Sequence, residues 1–295
     1  MKQLLILSGK GGTGKTTVAS AFIELSKVNA FADCDVDAPN LHLVLTQFSS
    51  PQKTDYYGLG KAVIDPETCV QCGLCETYCN FGAIQDLLVR EFECEGCGVC
   101  VELCPTHAIS MQDSVSGSMM LYKNSQQVFS TAQLNMGSGA SGKLVTAVKQ
   151  RLKETANDVK LAIIDGSPGI GCPVIASISG VDFVLIVAEP TISGMHDMKR
   201  IIQTSKRFGA NCAVCINKYD VNTVTANEIE HYCKGISVPV VGKIPYDKTV
   251  LEAVNACQSI AHYPESKAGK AIALIWEKIY HYFEGETVYE NRSSM

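Results

Sequence analysis

Apolar residues along this chain gather in short unbroken runs rather than alternating with polar ones. Leu4–Leu7, Leu161–Ile164, Phe183–Ala188, Cys212–Ile216 and Val238–Val241 each extend for four to six residues. Strands of a parallel sheet, covered on both faces, read this way. Between them lie stretches of helical character, Lys15–Lys27, Ser141–Thr155, Gly194–Phe208 and Thr225–Cys233. A last one, over 268–283, sets Ile272, Ile275, Trp276, Ile279, Tyr280 and Phe283 at helical spacing. This order predicts an α/β fold, a mostly parallel, doubly wound sheet flanked by helices. The last helix has few cationic residues, so it is expected to pack on the core and not to lie on a membrane. The polar tail from Glu284 is expected to be loose.

Directly after the first run comes Gly9-Lys10-Gly11-Gly12-Thr13-Gly14-Lys15-Thr16-Thr17. Such glycines let backbone N–H groups approach phosphate oxygens, and a helix beginning at Lys15 adds its positive end. Gly11, Gly12, Thr13, Gly14 and Thr17 would form the cradle, Lys15 would bridge the β- and γ-phosphates, and the Thr16 hydroxyl would hold Mg²⁺. A rival reading exists. Gly9-x-Gly11-x-x-Gly14 also fits the dinucleotide fingerprint, with Asp33 or Asp35 about twenty residues on. Lys15-Thr16 is superfluous for a dinucleotide. Asp165-Gly-Ser-Pro-Gly169 follows a strand as a Mg²⁺-side switch would, and Asn217-Lys218 ends another as a base-recognition loop would. These favour a mononucleoside triphosphate.

One stretch breaks the α/β pattern. Over 62–112, cysteine and glycine dominate and periodicity stops. The expected division is therefore 1–61 and 113–295 for the two parts of the nucleotide-binding domain, with 62–112 inserted. About fifty residues of this composition cannot bury enough surface to fold unaided, so bound metal is expected to stabilise them. Two near-copies of one ligand pattern lie here, Cys69-x-x-Cys72-x-x-Cys75-x-x-x-Cys79 and Cys94-x-x-Cys97-x-x-Cys100-x-x-x-Cys104. This spacing holds [4Fe–4S] clusters, the fourth cysteine of each run ligating the other cluster. One cluster would take Cys69, Cys72, Cys75 and Cys104; the other Cys79, Cys94, Cys97 and Cys100. The insert is thus expected to be a small α+β domain of two-cluster ferredoxin type. Asn80, where proline usually follows the fourth cysteine, touches only local geometry. Zinc is a poorer match to two interleaved four-cysteine runs. Cys212 and Cys215 fall inside a buried strand and are read as packing. Cys172 stands alone after Asp165-Gly-Ser-Pro-Gly169, with no second cysteine beside it to share a ligand role.

Composition narrows the setting. A net charge of −5 offers no basic excess for nucleic acid. No apolar run is long enough to cross a bilayer, and the N-terminus runs into a strand rather than a signal sequence. Fourteen cysteines at metal-like spacings suggest reduced thiols and a cytoplasmic, anaerobic prokaryotic setting, not a disulfide framework.

The second lysine of the phosphate loop, Lys10, resembles the deviant Walker A signature of the MinD/ParA/Mrp class of ATPases, which includes the nitrogenase iron protein. The likeness continues through Asp33–Leu41, Asp165–Gly169, Glu189-Pro-Thr191, Asn217-Lys218 and Gly242–Asp247. It is narrowest with the MinD-type members that carry an inserted bacterial-type ferredoxin domain. The resemblance implies an ATP-dependent homodimer, or a heterodimer with a paralogue, in which Lys10 reaches the partner's phosphates. It implies that Asp35 orients the attacking water near Mg²⁺, that Asp165 holds Mg²⁺ through water, and that Asn217, Pro245 and Asp247 surround the base and ribose.

The expected function is a slow, partner-stimulated ATPase whose dimer and switch cycle is coupled to electron transfer or metal-cluster delivery to a redox or metal-cofactor protein. The alternatives are a positioning or scaffold ATPase with structural clusters, and a carrier for cofactor assembly. The insert is expected just after the Asp33–Asp37 segment, beside the nucleotide, at the carboxyl ends of the strands.

Overall fold

β1 (Lys2–Ser8), α1 (Lys15–Ser26), β2 (Ala30–Asp33) and α2 (Leu41–Val44) open the chain, followed by β3 (Gln52–Tyr57). A cysteine-rich stretch then holds β4 (Lys61–Ile64), α3 (Leu74–Thr77), β5 (Ile84–Gln85), β6 (Leu88–Val89), α4 (Val99–Leu103) and β7 (Ile109–Gln112). The main fold resumes with β8 (Val115–Lys123), β9 (Val128–Leu134), α5 (Ser141–Thr155), β10 (Leu161–Asp165), α6 (Cys172–Ile178), β11 (Phe183–Ala188) and α7 (Ile192–Arg207). It closes with β12 (Asn211–Asn217), α8 (Thr223–Gly235), β13 (Val240–Ile244), α9 (Lys248–Asn255) and α10 (Lys267–Glu284). This computed structural model describes all residues except 46, 47, 49, 158 and 285–295; the polar tail lies outside the described residues.

Nine strands form one sheet in the order β13-β12-β11-β1-β10-β2-β9-β8-β3. The first seven are parallel, whereas β8 runs antiparallel to both β9 and β3. Because side chains alternate across a strand, β1 feeds two cores. Leu4 and Ile6 pack on one face with Phe22 of α1 and with Ile272, Ile275, Trp276 and Ile279 of α10. Leu5 and Leu7 pack on the other with Leu144 and Val148 of α5, Ile178 of α6 and Ile201 of α7. The last helix is therefore a core element. Among the described residues no helix is long and apolar enough to cross a membrane.

The placement of the insert differs from the sequence expectation. It does not follow the Asp33–Asp37 segment directly, because α2 and β3 intervene; it joins the ends of β3 and β8, an antiparallel ribbon at the sheet's outer edge. β3 nevertheless runs in the same sense as β9 and β2, so its end meets the insert on the nucleotide edge of the sheet. With strands about 4.8 Å apart, β3 sits five strands, or about 24 Å, to the side of β1.

Within the insert, β4 pairs antiparallel with β7 and β5 with β6. The strand preceding each cysteine run thus pairs with the strand following the other. Backbone conformation repeats at a 25-residue offset: Gln71 and Gly96, Gly73 and Gly98, and Gly82 and His107 all have positive φ. Glycine takes this conformation freely, and four of the six positions use it.

Candidate functional site

The loop between β1 and α1 turns through left-handed Gly12 (φ 77°) and Gly14 (φ 94°). The Thr13 hydroxyl donates to the Lys10 carbonyl (2.9 Å), which fixes the loop from inside. Gly14 also faces Asn217 closely: a Cβ there would lie 2.3 Å from Asn217 Nδ2. A helix N-terminus preceded by free amides is an anion site by construction.

At its floor, Lys15 Nζ donates to Asp165 Oδ1 (2.6 Å) and Thr16 Oγ1 donates to Asp165 Oδ2 (2.7 Å). Asp165 ends β10 and is fully buried, as is nearly all of Lys15. Burial opposes the Lys15 charge, but Asp165, Asp33 and Asp35 outweigh it and hold its pKa above the usual lysine value. The neighbouring Asp33 is pushed up to about 7 by burial and by the charge of Asp165, against the pull of Lys15. Asp33 serves the chain itself: its carboxylate accepts from the amides of Asp35 (3.0 Å), Asn40 (2.9 Å) and Leu41 (3.0 Å). Asp35, half-buried in the same turn, is also raised, chiefly by burial. The turn is stitched to the Asp165 segment, since Cys34 N donates to Asp165 O (2.7 Å) and Ser167 Oγ to Cys34 O.

The structure brings Lys10, Lys15, Thr16, Asp35 and Asp165 around one loop and adds a residue to which the sequence reading gave no role. Glu189, at the end of β11, accepts from Lys218 Nζ (2.7 Å) and pairs with Lys10 Nζ (3.5 Å). Its place just past an apolar strand at the nucleotide edge was the available signal. Asn217 Nδ2 donates to Thr13 O (2.7 Å), so the side chain braces the loop. Pro245 follows Ile244, which pairs with Asn217 across β12 and β13. Asp247, two residues past Pro245, also has a structural role. It accepts from Thr249 N (3.0 Å), Ser266 Oγ (2.7 Å) and Ala268 N (3.1 Å), capping α9 and tying down the start of α10.

The eight insert cysteines divide between two cavities. One is lined by Cys69, Cys72, Cys75 and Cys104, the other by Cys79, Cys94, Cys97 and Cys100. Among the described residues no three His, Cys, Asp or Glu are grouped to hold a single metal ion, and this does not argue against a cubane, which spreads its four thiolates farther apart than one ion does. At matching positions, Ala83 N donates to Cys79 Sγ (3.3 Å) and Ala108 N to Cys104 Sγ (3.2 Å). The remaining cysteines are unlike these. Cys215 is fully buried and its thiol is pushed up to about 12 by burial, which makes it an inert packing group. Cys172 is exposed at the start of α6.

Comparison with known proteins agrees with this geometry. The CobQ/CobB/MinD/ParA nucleotide binding domain matches residues 4–260. An uncharacterized protein of Methanocaldococcus jannaschii is 31% identical, covering 94% of this chain and 96% of that protein. An iron–sulfur cluster carrier protein of Pyrococcus horikoshii is 23% identical over 94% of this chain and 85% of its own length. Among solved structures, the septum site-determining protein MinD of Pyrococcus horikoshii, complexed with Mg-ADP, is similar with a TM-score of 0.57 at 19% identity, covering 94% of this chain and 95% of that one. The nucleotide-edge loop therefore stands in a known setting, and the chain belongs to the CobQ/CobB/MinD/ParA family of nucleotide-binding proteins, with a MinD-like fold.

Proposed function

We propose that this protein is an ATP-hydrolysing iron–sulfur protein in which a nucleotide-driven dimer cycle governs the passage of electrons, or of a metal cluster, to a partner protein. Its main support is the crossed arrangement of the insert. Two four-cysteine cavities, each drawing its fourth cysteine from the other run, match what two [4Fe–4S] clusters require. We assign 62–112 to the cluster-binding domain and 1–61 with 113–295 to the ATPase. The clusters would supply one-electron storage; the cysteines would hold them, and the amides of Ala83 and Ala108 would tune their thiolates.

In the ATPase, backbone amides of Gly11–Thr17 would receive the phosphates, with Lys15 on the β- and γ-oxygens. Thr16, with Asp165 and Asp35 behind it, would hold Mg²⁺, and Asp35 would also orient the attacking water. Lys10 would leave Glu189 to neutralise charge on the partner's phosphates, a second subunit completing the site as a deviant Walker A ATPase. Asn217, Pro245 and Asp247 would border the nucleoside. Asp165 connects these roles to the fold, because the Cys34 turn is hydrogen-bonded to its segment, which in turn is bonded to the end of β1 through Gly166 N and Gly169 N.

The test is anoxic purification with iron, acid-labile sulfide and Mg²⁺-dependent ATPase measured on one sample. Cluster potentials are then measured with ADP and with a non-hydrolysable ATP analogue. A nucleotide-dependent change is expected, and identical potentials together with identical partner affinity would remove the coupling. Likeness to the Pyrococcus horikoshii cluster carrier favours delivery as a second reading; transfer of iron and sulfide to an apo-protein would separate it from electron transfer. A scaffold ATPase with structural clusters predicts clusters that dithionite cannot reduce.

A further inference from the structure

Residues 62–112 hold eight of the chain's thirty acidic residues and one of its twenty-five basic ones. The insert therefore carries the net negative charge, and the remaining chain is close to neutral. Three of these acids, Glu91, Glu93 and Glu95, are exposed and flank Phe92, which is 79% exposed. Phe92 does not stand alone. A Cβ on Gly137 would meet its ring at 3.6 Å, and the Glu95 carboxylate occupies the space where a side chain on Gly139 would project. Beside Gly137, Met136 is 94% exposed. An aromatic ring from the insert and, beside the Gly137 it approaches, a thioether from the ATPase body are thus both exposed to water near the carboxylates of Glu91, Glu93 and Glu95, of which Glu93 pairs with Arg90 (3.1 Å). Exposed apolar groups of this size are unfavourable in water, and aromatic residues and methionine are enriched at the centres of protein interfaces. Close behind lies the cavity of Cys79, Cys94, Cys97 and Cys100, with Phe81 and Val99 at its wall and Cys97 open to solvent.

We infer that Phe92 and Met136 form the centre, and Glu91, Glu93 and Glu95 the rim, of a docking face for a redox protein that presents lysine and arginine around an apolar patch. The inference rests on the proposed electron-transfer function and names its partner class. Charge complementarity selects this occupant. A second copy would set acid against acid, since its near-neutral body has no cationic excess to offer. One electron would leave a reduced cluster in the near cavity, oxidising it by one, and would reduce the partner's cofactor by one; dithionite resupplies the electron in the assay. Leu134 N donates to Val36 O (2.8 Å), within the turn that carries Asp35. The loop bearing Met136 therefore starts at the nucleotide site, and docking engages both parts of the fold.

The test uses the iron-loaded protein and ferrocytochrome c as a cationic haem probe, with affinity read by calorimetry across about 0.02 to 0.2 M ionic strength, where screening is strong. Affinity is expected to fall at least tenfold over that range. The triple variant Glu91→Gln, Glu93→Gln, Glu95→Gln is expected to bind about tenfold more weakly at low salt, with a flattened salt dependence. Phe92→Ala with Met136→Ala is expected to weaken binding at every salt and keep the slope. Removing equal charge around the other cavity, by Glu67→Gln, Glu76→Gln and Asp86→Asn, is expected to change affinity less than twofold. Iron content equal to the native protein certifies the fold of each variant. Salt-independent binding, no binding at low salt, or equal effects of the two charge triples overturns the docking face; so does self-association that the Phe92 variant abolishes. Binding needs no electron, so its failure is distinct from failure of the electron-transfer reading, which shows in stopped-flow reduction of ferricytochrome c.

Discussion

Lys15 and Asp165 form a 2.6 Å ion pair in which the lysine side chain is 6% exposed and the aspartate not at all. Removing one partner leaves the other charge buried and unmatched, which typically costs about 3–5 kcal/mol. Asp165→Ala is expected to lose that much stability in urea unfolding. Asp165→Asn should lose less, because the amide oxygen still accepts from one donor, yet Mg²⁺-dependent ATP hydrolysis should vanish. An Asn variant with native hydrolysis would exclude Asp165 from the metal site.

Two aspartates give opposite pH responses. Asp33 is raised to about 7 in the fold, so between about pH 4 and pH 7 the native state keeps a proton that the unfolded chain has released. Its contribution to stability therefore declines as pH rises through that window, and urea midpoints for Asp33→Asn should show a weaker decline there. Asp247 is held below the usual carboxylate range, first by the Ser266 hydroxyl and then, against the opposing effect of burial, by the Ala268 and Thr249 amides. Its contribution is present at neutral pH and lost on acidification below the usual carboxylate range. Asp247→Ala should cost about 0.5–2 kcal/mol at neutral pH, as loss of a helix cap does.

Lys10 is half-exposed and held only loosely, 3.5 Å from Glu189. Lys10→Ala is expected to bind ATP normally by calorimetry while hydrolysis falls by about a thousandfold, the scale of a charge supplied in trans. Loss of ATP binding along with hydrolysis would instead make Lys10 part of its own subunit's cradle.

The crossed cysteine sets make a distinctive expectation. Cys104→Ser should deplete the cluster held with Cys69, Cys72 and Cys75, and Cys79→Ser the other, each halving iron content. Spectra of the two variants should then differ from each other and sum to that of the native protein. If Cys79→Ser and Cys72→Ser gave the same surviving cluster, the crossing would be wrong.

Lys149 of α5 donates to the carbonyls of Ala176 (3.2 Å), Ser177 (2.6 Å) and Ser179 (2.6 Å) at the end of α6. A charged donor on open helix carbonyls contributes about 1.5–3 kcal/mol. Lys149→Met should lose about that in urea unfolding.

The parallel strands were legible because each is covered on both faces and so reads as an apolar run. β3, β8 and β9 were not. Gln52–Tyr57 lies at the sheet edge with polar side chains in solvent, and β9 buries Ser130 and Thr131 in its middle, so neither offers a run or a clean alternation. The phosphate loop was legible because close phosphate approach fixes residue types at fixed spacing. Asp247 was legible as part of the Gly242–Asp247 motif, whereas its capping of α9 and its hold on the start of α10 were not, because they depend on Ser266 and Ala268 far along the chain. Glu189 needed the fold itself, since Lys10 and Lys218 meet it only after three strands align.

The exchange of strands and thiols between the two cysteine runs also sets a timetable. A growing chain that has emerged through Cys75 or Cys79 holds neither complete thiol set, and β4 waits for β7. The second set closes with Cys100 and the first with Cys104, only four residues later. On the proposed reading both clusters would therefore have to form after Cys100 and Cys104 are made, within the first half of the 295-residue chain, and β3 gains its neighbour β8 only once that stretch has been made.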